Sequence, residues 1–385
     1  MRRCDLTVAF GFLPELGSSV VGDNPAKPVY YSEYLQLDRL LDSQQLASSS
    51  GGKPVHDEML FIIVHQAYEL WFKQILWELD EVANLLAPAR VAETAMLRIV
   101  ARLDRITEIQ KLLIEQITVL ETLTPLDFLE FRDNLIPASG FQSVQFRLIE
   151  NRMGVRPADR IKLAGNPYTA ALSEADRSQV EESEAQPNIF GLVEAWLERT
   201  PFLDHGDFHF WDIYRGAVHE MLEHDRNVVA TNPNLSEPER ESQLRSFEQT
   251  FSLYEAVFDQ TKHESLVSAG ERRLSHRAFQ AALFINLYRD EPALQEPFRL
   301  LTLLMDIDQG FTSWRYRHAL MTQRMIGRRV GTGGSAGAAY LTRSADRNRV
   351  FDDLSQLSTF MIPRSLLPAL PVDLERTMRF RFEDV

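Results

Sequence analysis

Helical periodicity without strand-like alternation is the feature that most limits what this sequence can fold into. Apolar residues recur every three to four positions over 56–87 and 90–123, each about thirty residues long, and over a third long segment that begins at 297. No stretch alternates apolar and polar residues for long. Because the connection between the first two long helices is short, we expect antiparallel neighbours in a bundle. The sequence therefore predicts an all-α protein.

Shorter segments continue the helical pattern between and after the long ones. We predict helices over 30–43, 125–135, 139–151, 189–198, 210–224, 238–262, 278–289 and 350–359. The polar stretch 153–190, which is interrupted by prolines, predicts a solvated loop or linker. Glycine and proline punctuate residues 1–29, which predicts an N-terminal arm ahead of one large domain over 30–385.

Charge and cysteine content exclude several classes of function. The 385 residues carry a formal net charge of −14, which argues against nucleic acids and anionic membranes as partners. Cys4 is the sole cysteine, so neither a disulfide framework nor a thiolate zinc site is expected. No apolar run reaches the roughly eighteen residues that span a bilayer, and the first residues lack an apolar signal region. We therefore expect a soluble cytoplasmic protein.

A histidine in the last long helix is the first candidate for chemistry. His318 shares a helical stripe with Phe311, Trp314 and Met321, a position where most histidines are core residues. The loop 331–337 follows, and its four glycines in seven residues allow a backbone to close over a ligand. The loop lacks the lysine and the spacing of a phosphate-binding loop. Helix and loop together indicate a site of another kind.

His65 and Arg132 are the next candidates, and each has a plain structural alternative. His65 shares an aromatic helical face with Phe61, either as a core histidine or as a functional one, whereas His56 lies on the opposite face. Arg132 follows Phe128 by one turn. Its guanidinium either snorkels or pairs with an acid, or it captures a carboxylate through two parallel hydrogen bonds. Four other histidines fit surface positions better, namely His205, His209, His219 and His224.

Six segments, in order, carry a resemblance to a known family. They are YSEYLQL (31–37), HDEMLFIIVHQAYELWFK (56–73), FR (131–132) through PASGFQS (137–143), WRYRH (314–318), GTGGS (331–335) and LSTFMIPR (357–364). Together they closely resemble tryptophan 2,3-dioxygenase over roughly 30–365, and the animal form more than the shorter bacterial one. The resemblance implies an all-helical haem domain with a smaller helical insertion around 200–270, assembled as a homotetramer.

The resemblance also implies a cofactor and a role for each site residue. His318 is expected to be the proximal ligand of a haem b, which is held non-covalently because no Cys-x-x-Cys-His motif occurs. His65 is expected to be the distal residue that bonds the indole N–H, and so the catalytic one. Arg132 is expected to bind the substrate carboxylate and Thr332 the ammonium group, while Phe61 and Phe128 pack on the indole ring. Trp314 and Ser139 are expected to lie near the haem propionates. Tyr31 and Tyr34 are expected to reach the pocket of a neighbouring subunit.

The expected reaction is the opening of the indole ring of L-tryptophan, or a close analogue, by O₂ to N-formylkynurenine, in tryptophan catabolism through the kynurenine pathway. Two alternatives stay open. One is a haem monooxygenase of the same superfamily, which inserts a single oxygen and gives an oxindole; the other is a haem-based sensor or carrier. A carrier has no use for a carboxylate clamp at Arg132. Three positions depart from the family pattern, namely Ile136, Arg317 and Ala336.

Overall fold

The fold is described by a computed structural model for residues 28–162, 166–201, 203, 208–327, 329, 331 and 337–379. These residues are mostly helical and form no β-sheet, which confirms the all-α prediction. In chain order the α-helices are α1 (Tyr31–Tyr34), α2 (Leu37–Leu41), α3 (His56–Leu86), α4 (Glu93–Leu120), α5 (Pro125–Arg132), α6 (Val144–Met153), α7 (Glu174–Glu184), α8 (Ile189–Glu198), α9 (Phe210–Thr231), α10 (Glu237–Phe258), α11 (Gln260–Ala269), α12 (His276–Leu287), α13 (Pro292–Ile326), α14 (Gly337–Arg347), α15 (Asp352–Gln356) and α16 (Val372–Met378).

The chain divides into two compact units between Gln45 and Leu46. The first unit contains α1 and α2, which the sequence predicted as a single helix over 30–43. Gln36 separates them because its backbone is left-handed, with φ of 53°, and a right-handed helix cannot continue through it. All later helices belong to the second unit. The insertion predicted around 200–270, where α9 packs against α10, stays a prediction.

The core of the second unit is built around α4, which packs against both α3 and α13. Its buried side chains alternate at spacings of three and four, as expected for a helix with neighbours along one stripe: Ile99, Leu103, Ile106, Gln110, Leu113, Ile117 and Leu120. Gln110 is the polar exception, and it donates to the Ile307 carbonyl of α13 over 2.9 Å. None of the helices in the described ranges is long and apolar enough to cross a bilayer.

The boundaries of several predicted helices differ from the structure by a few residues, and three of the differences have a clear physical reason. The helix α13 begins at Pro292 and not at 297, because Pro292 occupies the first turn, where a missing N–H costs nothing, and Pro297 is accommodated inside. The helix predicted over 210–224 continues to Thr231. The one predicted over 238–262 is divided at Asp259, whose carboxylate accepts from the Lys262 N–H and starts α11.

The prediction of a solvated linker over 153–190 is wrong. This stretch contains the whole of α7, which begins after the capping side chain of Ser173. Val180 on α7 is completely buried, and Arg160 is also buried, with its guanidinium 4.0 Å from the centre of the Tyr168 ring. The stretch was expected to be a linker because it contains few apolar residues. The burial of Val180 and Arg160 depends on contacts such as those between α6 and α7, which sequence composition does not reveal.

Gly154 ends α6 in a backbone conformation that we expect no other residue to adopt without strain. Its φ is +111°, and an added Cβ would lie 2.8 Å from Phe190 Cβ. Gly154→Ala should therefore lower the free energy of unfolding by about 3 kcal/mol, from strain and overpacking together. Gly270→Ala is the matched control, since Gly270 has φ of +76° with open space around it. We expect about 1 kcal/mol there by denaturant titration; equal losses for the two variants would contradict the packing argument.

Candidate active site

One cavity in the second unit brings together residues that are far apart in the sequence, from Phe61 to Asn348. The volume of this cavity is about 250 Å³. Helices α3, α5 and α13 supply most of the predicted site residues, and α6 and α14 complete the wall. Seven residues predicted from the sequence line this cavity, namely Phe61, His65, Phe128, Arg132, Ser139, Trp314 and His318.

His318 is a neutral imidazole on the α13 side of the cavity. Burial and the nearby His65 lower the pKa of His318 to about 4, so its imidazole is uncharged near pH 7. The Trp314 ring lies one turn away, with 5.3 Å between the ring centroids. Among the described residues, none forms a hydrogen bond with the buried Nδ1 atom of His318. A neutral imidazole at a cavity wall is a suitable ligand for a transition metal such as iron.

His65 presents a hydrogen-bond acceptor to the same cavity. Its Nδ1 lies 2.7 Å from the Phe61 carbonyl oxygen, which can only accept, so Nδ1 carries the proton and Nε2 has a free lone pair. His65 is exposed, and it lines the cavity. Burial lowers the pKa of His65, and the Phe61 carbonyl and the Glu69 charge only partly oppose this. The neutral form is therefore the one expected near pH 7.

Aromatic rings form the apolar wall beside His65. The Phe61 ring lies 4.1 Å from His65, 5.7 Å from Phe128 and 5.6 Å from Phe131, measured between centroids. Arg132 follows Phe131 as the last residue of α5 and lines the cavity at the edge of this wall. The site therefore offers an apolar aromatic surface, a hydrogen-bond acceptor and a guanidinium, which together suit an aromatic ligand with an acidic group.

Ser139 and Arg317 have defined structural partners. Ser139 caps a short 3₁₀ turn, Gly140–Gln142, with its Oγ accepting from the Phe141 N–H over 3.4 Å. Arg317, one of the departures from the family pattern, donates to Glu121 over 2.7 Å and so ties α13 to the end of α4. Ile136, another departure, is exposed, and Ala336 lies outside the described residues.

Three predicted site residues are not placed at the cavity. Tyr31 and Tyr34 belong to the first unit, where both side chains are exposed. Thr332 lies outside the described residues, as does His205. The roles predicted for Tyr31, Tyr34 and Thr332 therefore stay predictions.

Sequence reasoning missed a buried ionic cluster at the cavity wall. Glu150 accepts hydrogen bonds from Arg147, Arg160, Arg315 and Asn348, and all five side chains are buried. Burial alone would raise the pKa of Glu150, but the guanidinium groups of Arg160, Arg147 and Arg315 reverse this and hold it far below its usual range. One signal was available, because Arg147 and Glu150 are three residues apart on a helix.

Comparison with known proteins identifies the family. A family model described as tryptophan 2,3-dioxygenase matches residues 21–361. The tryptophan 2,3-dioxygenase of Bdellovibrio bacteriovorus is 49% identical over 355 residues, which are 92% of this chain and 99% of the relative. The Xenopus laevis protein of the same name is 48% identical over 342 residues, 88% of this chain and 84% of the relative. With a family model that covers most of its length and relatives this similar, the chain belongs to the tryptophan 2,3-dioxygenase family.

Proposed function

We propose that the protein binds haem b non-covalently through His318 and opens the indole ring of L-tryptophan with O₂, giving N-formylkynurenine. The observation that carries this proposal is the single cavity onto which seven residues from 61 to 318 converge. The relatives named above as tryptophan 2,3-dioxygenases support the same reaction and do not favour the monooxygenase alternative. A cytoplasmic location belongs to the same proposal.

The cavity suits haem in both its chemistry and its charge. His318 would hold the haem iron, since its imidazole is neutral and lines the cavity. Trp314 and Ser139 line the same cavity and would lie near the propionates. The buried arginines around Glu150 add positive charge to this wall, which favours carboxylates. When bound, ferrous haem supplies the activation of O₂, and the protein supplies orientation and a dry pocket.

The remaining residues would bind and orient the substrate. The Nε2 lone pair of His65 would accept the indole N–H, because Nδ1 is already committed to the Phe61 carbonyl. Arg132 would form a bidentate pair with the carboxylate, and Thr332 would contact the ammonium group. Phe61 and Phe128 would pack on the indole ring and exclude water from the reacting carbons. Both oxygen atoms would enter the product, so no external electron donor is needed in each turnover.

Product analysis tests this proposal against its alternatives. We would incubate haem-loaded protein with L-tryptophan and air and identify the products by mass spectrometry. N-formylkynurenine is the expected product. An oxindole would assign the chain to the monooxygenase alternative. Absence of turnover, with a haem spectrum that does not respond to tryptophan, would favour the sensor or carrier.

An apolar stripe on the outside of α3 supports the proposed homotetramer. Met59, Ile63, Leu70 and Trp77 lie within about 40° of one another around the helix, and their exposed fractions run from 37% for Met59 to 73% for Trp77. Such a row on a helix surface is typical of a contact between chains. In the proposed tetramer, Tyr31 and Tyr34 would complete the pocket of a neighbouring subunit.

Light scattering should give the mass of four chains for the purified protein. Trp77→Glu should shift the mass to smaller species, because a carboxylate would be buried in an apolar contact without a partner. Leu253→Glu, at an exposed leucine on α10, is the control and should keep the native mass. A fully active monomer would contradict the tetramer.

We expect His65→Ala to reduce turnover without abolishing it. Loss of one positioning hydrogen bond to the indole should cost about 1–3 kcal/mol, or roughly ten- to a hundredfold in kcat/KM for L-tryptophan. For 1-methyltryptophan, whose methyl group occupies the position of the bonded hydrogen, the native enzyme should be slow. The variant has space there and should discriminate less between the two substrates.

The control for this prediction is His56→Ala, at the exposed first residue of the same helix. All rates would be normalised to haem content, so that a loss of folded protein is not read as a loss of catalysis. Unchanged selectivity between tryptophan and 1-methyltryptophan in His65→Ala would show that His65 does not contact the indole nitrogen.

A further inference from the structure

Glu150 joins four separate segments of the chain through its two carboxylate oxygens. Oε1 accepts from Arg315 over 2.8 Å and from Asn348 over 2.9 Å. Oε2 accepts from Arg147 over 2.9 Å and also from Arg160. Arg315 lies on α13, three residues before His318, and Asn348 directly follows α14. The carboxylate thus links α13 to the residue that follows α14, and both of these helices line the cavity.

The cluster contains more positive than negative charge. Three guanidinium groups surround one carboxylate, which leaves a surplus of two positive charges within the hydrogen-bonded group, and all four side chains are at most 7% exposed. Asp308 also acts on Arg315, and a surplus of one positive charge remains even when Asp308 is counted as a carboxylate. The rings of Tyr168 and Phe146 lie near Arg160 and Arg315. Rings offset a buried charge only in part, so the arrangement favours an additional anion.

The cavity is where such an anion can reach the cluster. Arg147, Glu150, Arg315 and Asn348 all line it, together with Ser139 and Trp314. On the proposed function, the ligand of this cavity is haem, which carries two carboxylates. We propose that Glu150 is a positioning residue that holds Arg147 and Arg315 at the cavity wall and offsets part of their charge, and thereby sets how strongly the cavity prefers a ligand with carboxylates.

The test compares haem with haem dimethyl ester, in which both carboxylates are esterified. The ratio of the two dissociation constants isolates the carboxylates, because the ring and the ligation by His318 are the same. Glu150→Gln keeps the size of the side chain and removes its charge, so the preference for haem should rise about tenfold. Arg315→Gln removes one positive charge, so the preference should fall about tenfold. A ratio that does not rise in the first variant, or does not fall in the second, would overturn the proposal.

Glu78→Gln is the matched control. Glu78 is a buried glutamate that accepts from Arg105 and Gln74, both over 2.6 Å, and it is not among the residues that line the cavity. Its variant should lose thermal stability and keep the native ratio; a ratio that shifts as in Glu150→Gln would show that the effect is not local and would also overturn the proposal. If Glu150→Gln does not fold, Arg315→Gln decides alone.

The outcome for the native protein separates this proposal from the proposed function. Failure of the native protein to bind either haem or its ester would refute the proposed function. Binding of both with a ratio that neither Glu150→Gln nor Arg315→Gln changes would refute only the role of Glu150.

Discussion

His318→Ala should lose stoichiometric haem binding or, where haem is retained, the spectrum of a five-coordinate histidine complex. The reason is that His318 is the neutral imidazole on the α13 wall of the cavity, with a pKa lowered to about 4, and alanine offers the iron no lone pair. Haem content would be measured by absorbance per chain after reconstitution, and the spectrum by absorption and resonance Raman measurements.

His65→Ala is the control for this experiment, since it removes the other histidine of the same cavity. It should retain haem with the native spectrum. Full haem retention with an unchanged spectrum in His318→Ala, or loss of haem in His65→Ala alone, would contradict the assignment of His318 as the ligand.

Arg132→Leu should show the second large effect, on substrate affinity. When a desolvated carboxylate loses its bidentate partner, about 2–5 kcal/mol of interaction free energy is lost. This loss corresponds to a decrease of about thirtyfold to a few thousandfold in kcat/KM. Arg132→Lys should be intermediate, since it keeps the charge and loses the planar fork. Steady-state kinetics with L-tryptophan would measure both variants, with haem content as the control for folding.

Tryptamine, which lacks the carboxylate, makes the Arg132 experiment specific. The native enzyme should turn it over poorly, and Arg132→Leu should lose most of its preference for tryptophan over tryptamine, because the removed contact concerns only the carboxylate. Equal turnover of the two substrates by the native enzyme would show that Arg132 does not bind the carboxylate.

Helical periodicity was sufficient to predict the parts of the fold that depend on local sequence. The helix α3 begins at His56 as predicted, and α8 has the predicted bounds. The same periodicity placed His65 and His318 on inward faces, and the resemblance to a family assigned their roles. Long amphipathic helices are predicted well because every turn repeats the same spacing of apolar residues.

Burial that depends on distant contacts was not predictable in this way. Val180 is completely buried although its helix has few apolar residues, so the stretch 153–190 was wrongly expected to be a linker. The cluster around Glu150 joins residues up to 198 positions apart, as between Glu150 and Asn348. A pattern read in windows of ten to twenty residues cannot contain such a pair. The roles predicted for Tyr31 and Tyr34 would depend on contacts with a second chain, which a pattern within one sequence does not describe.

Isotopic labelling of the product tests the central claim, that this cavity performs dioxygenation, most directly. Haem-loaded protein would be incubated with L-tryptophan under ¹⁸O₂ in ordinary water, and the product mass determined before the formyl group hydrolyses. The account predicts N-formylkynurenine with both labelled atoms in the same molecule. A product with a single labelled atom, or an oxindole, would contradict it.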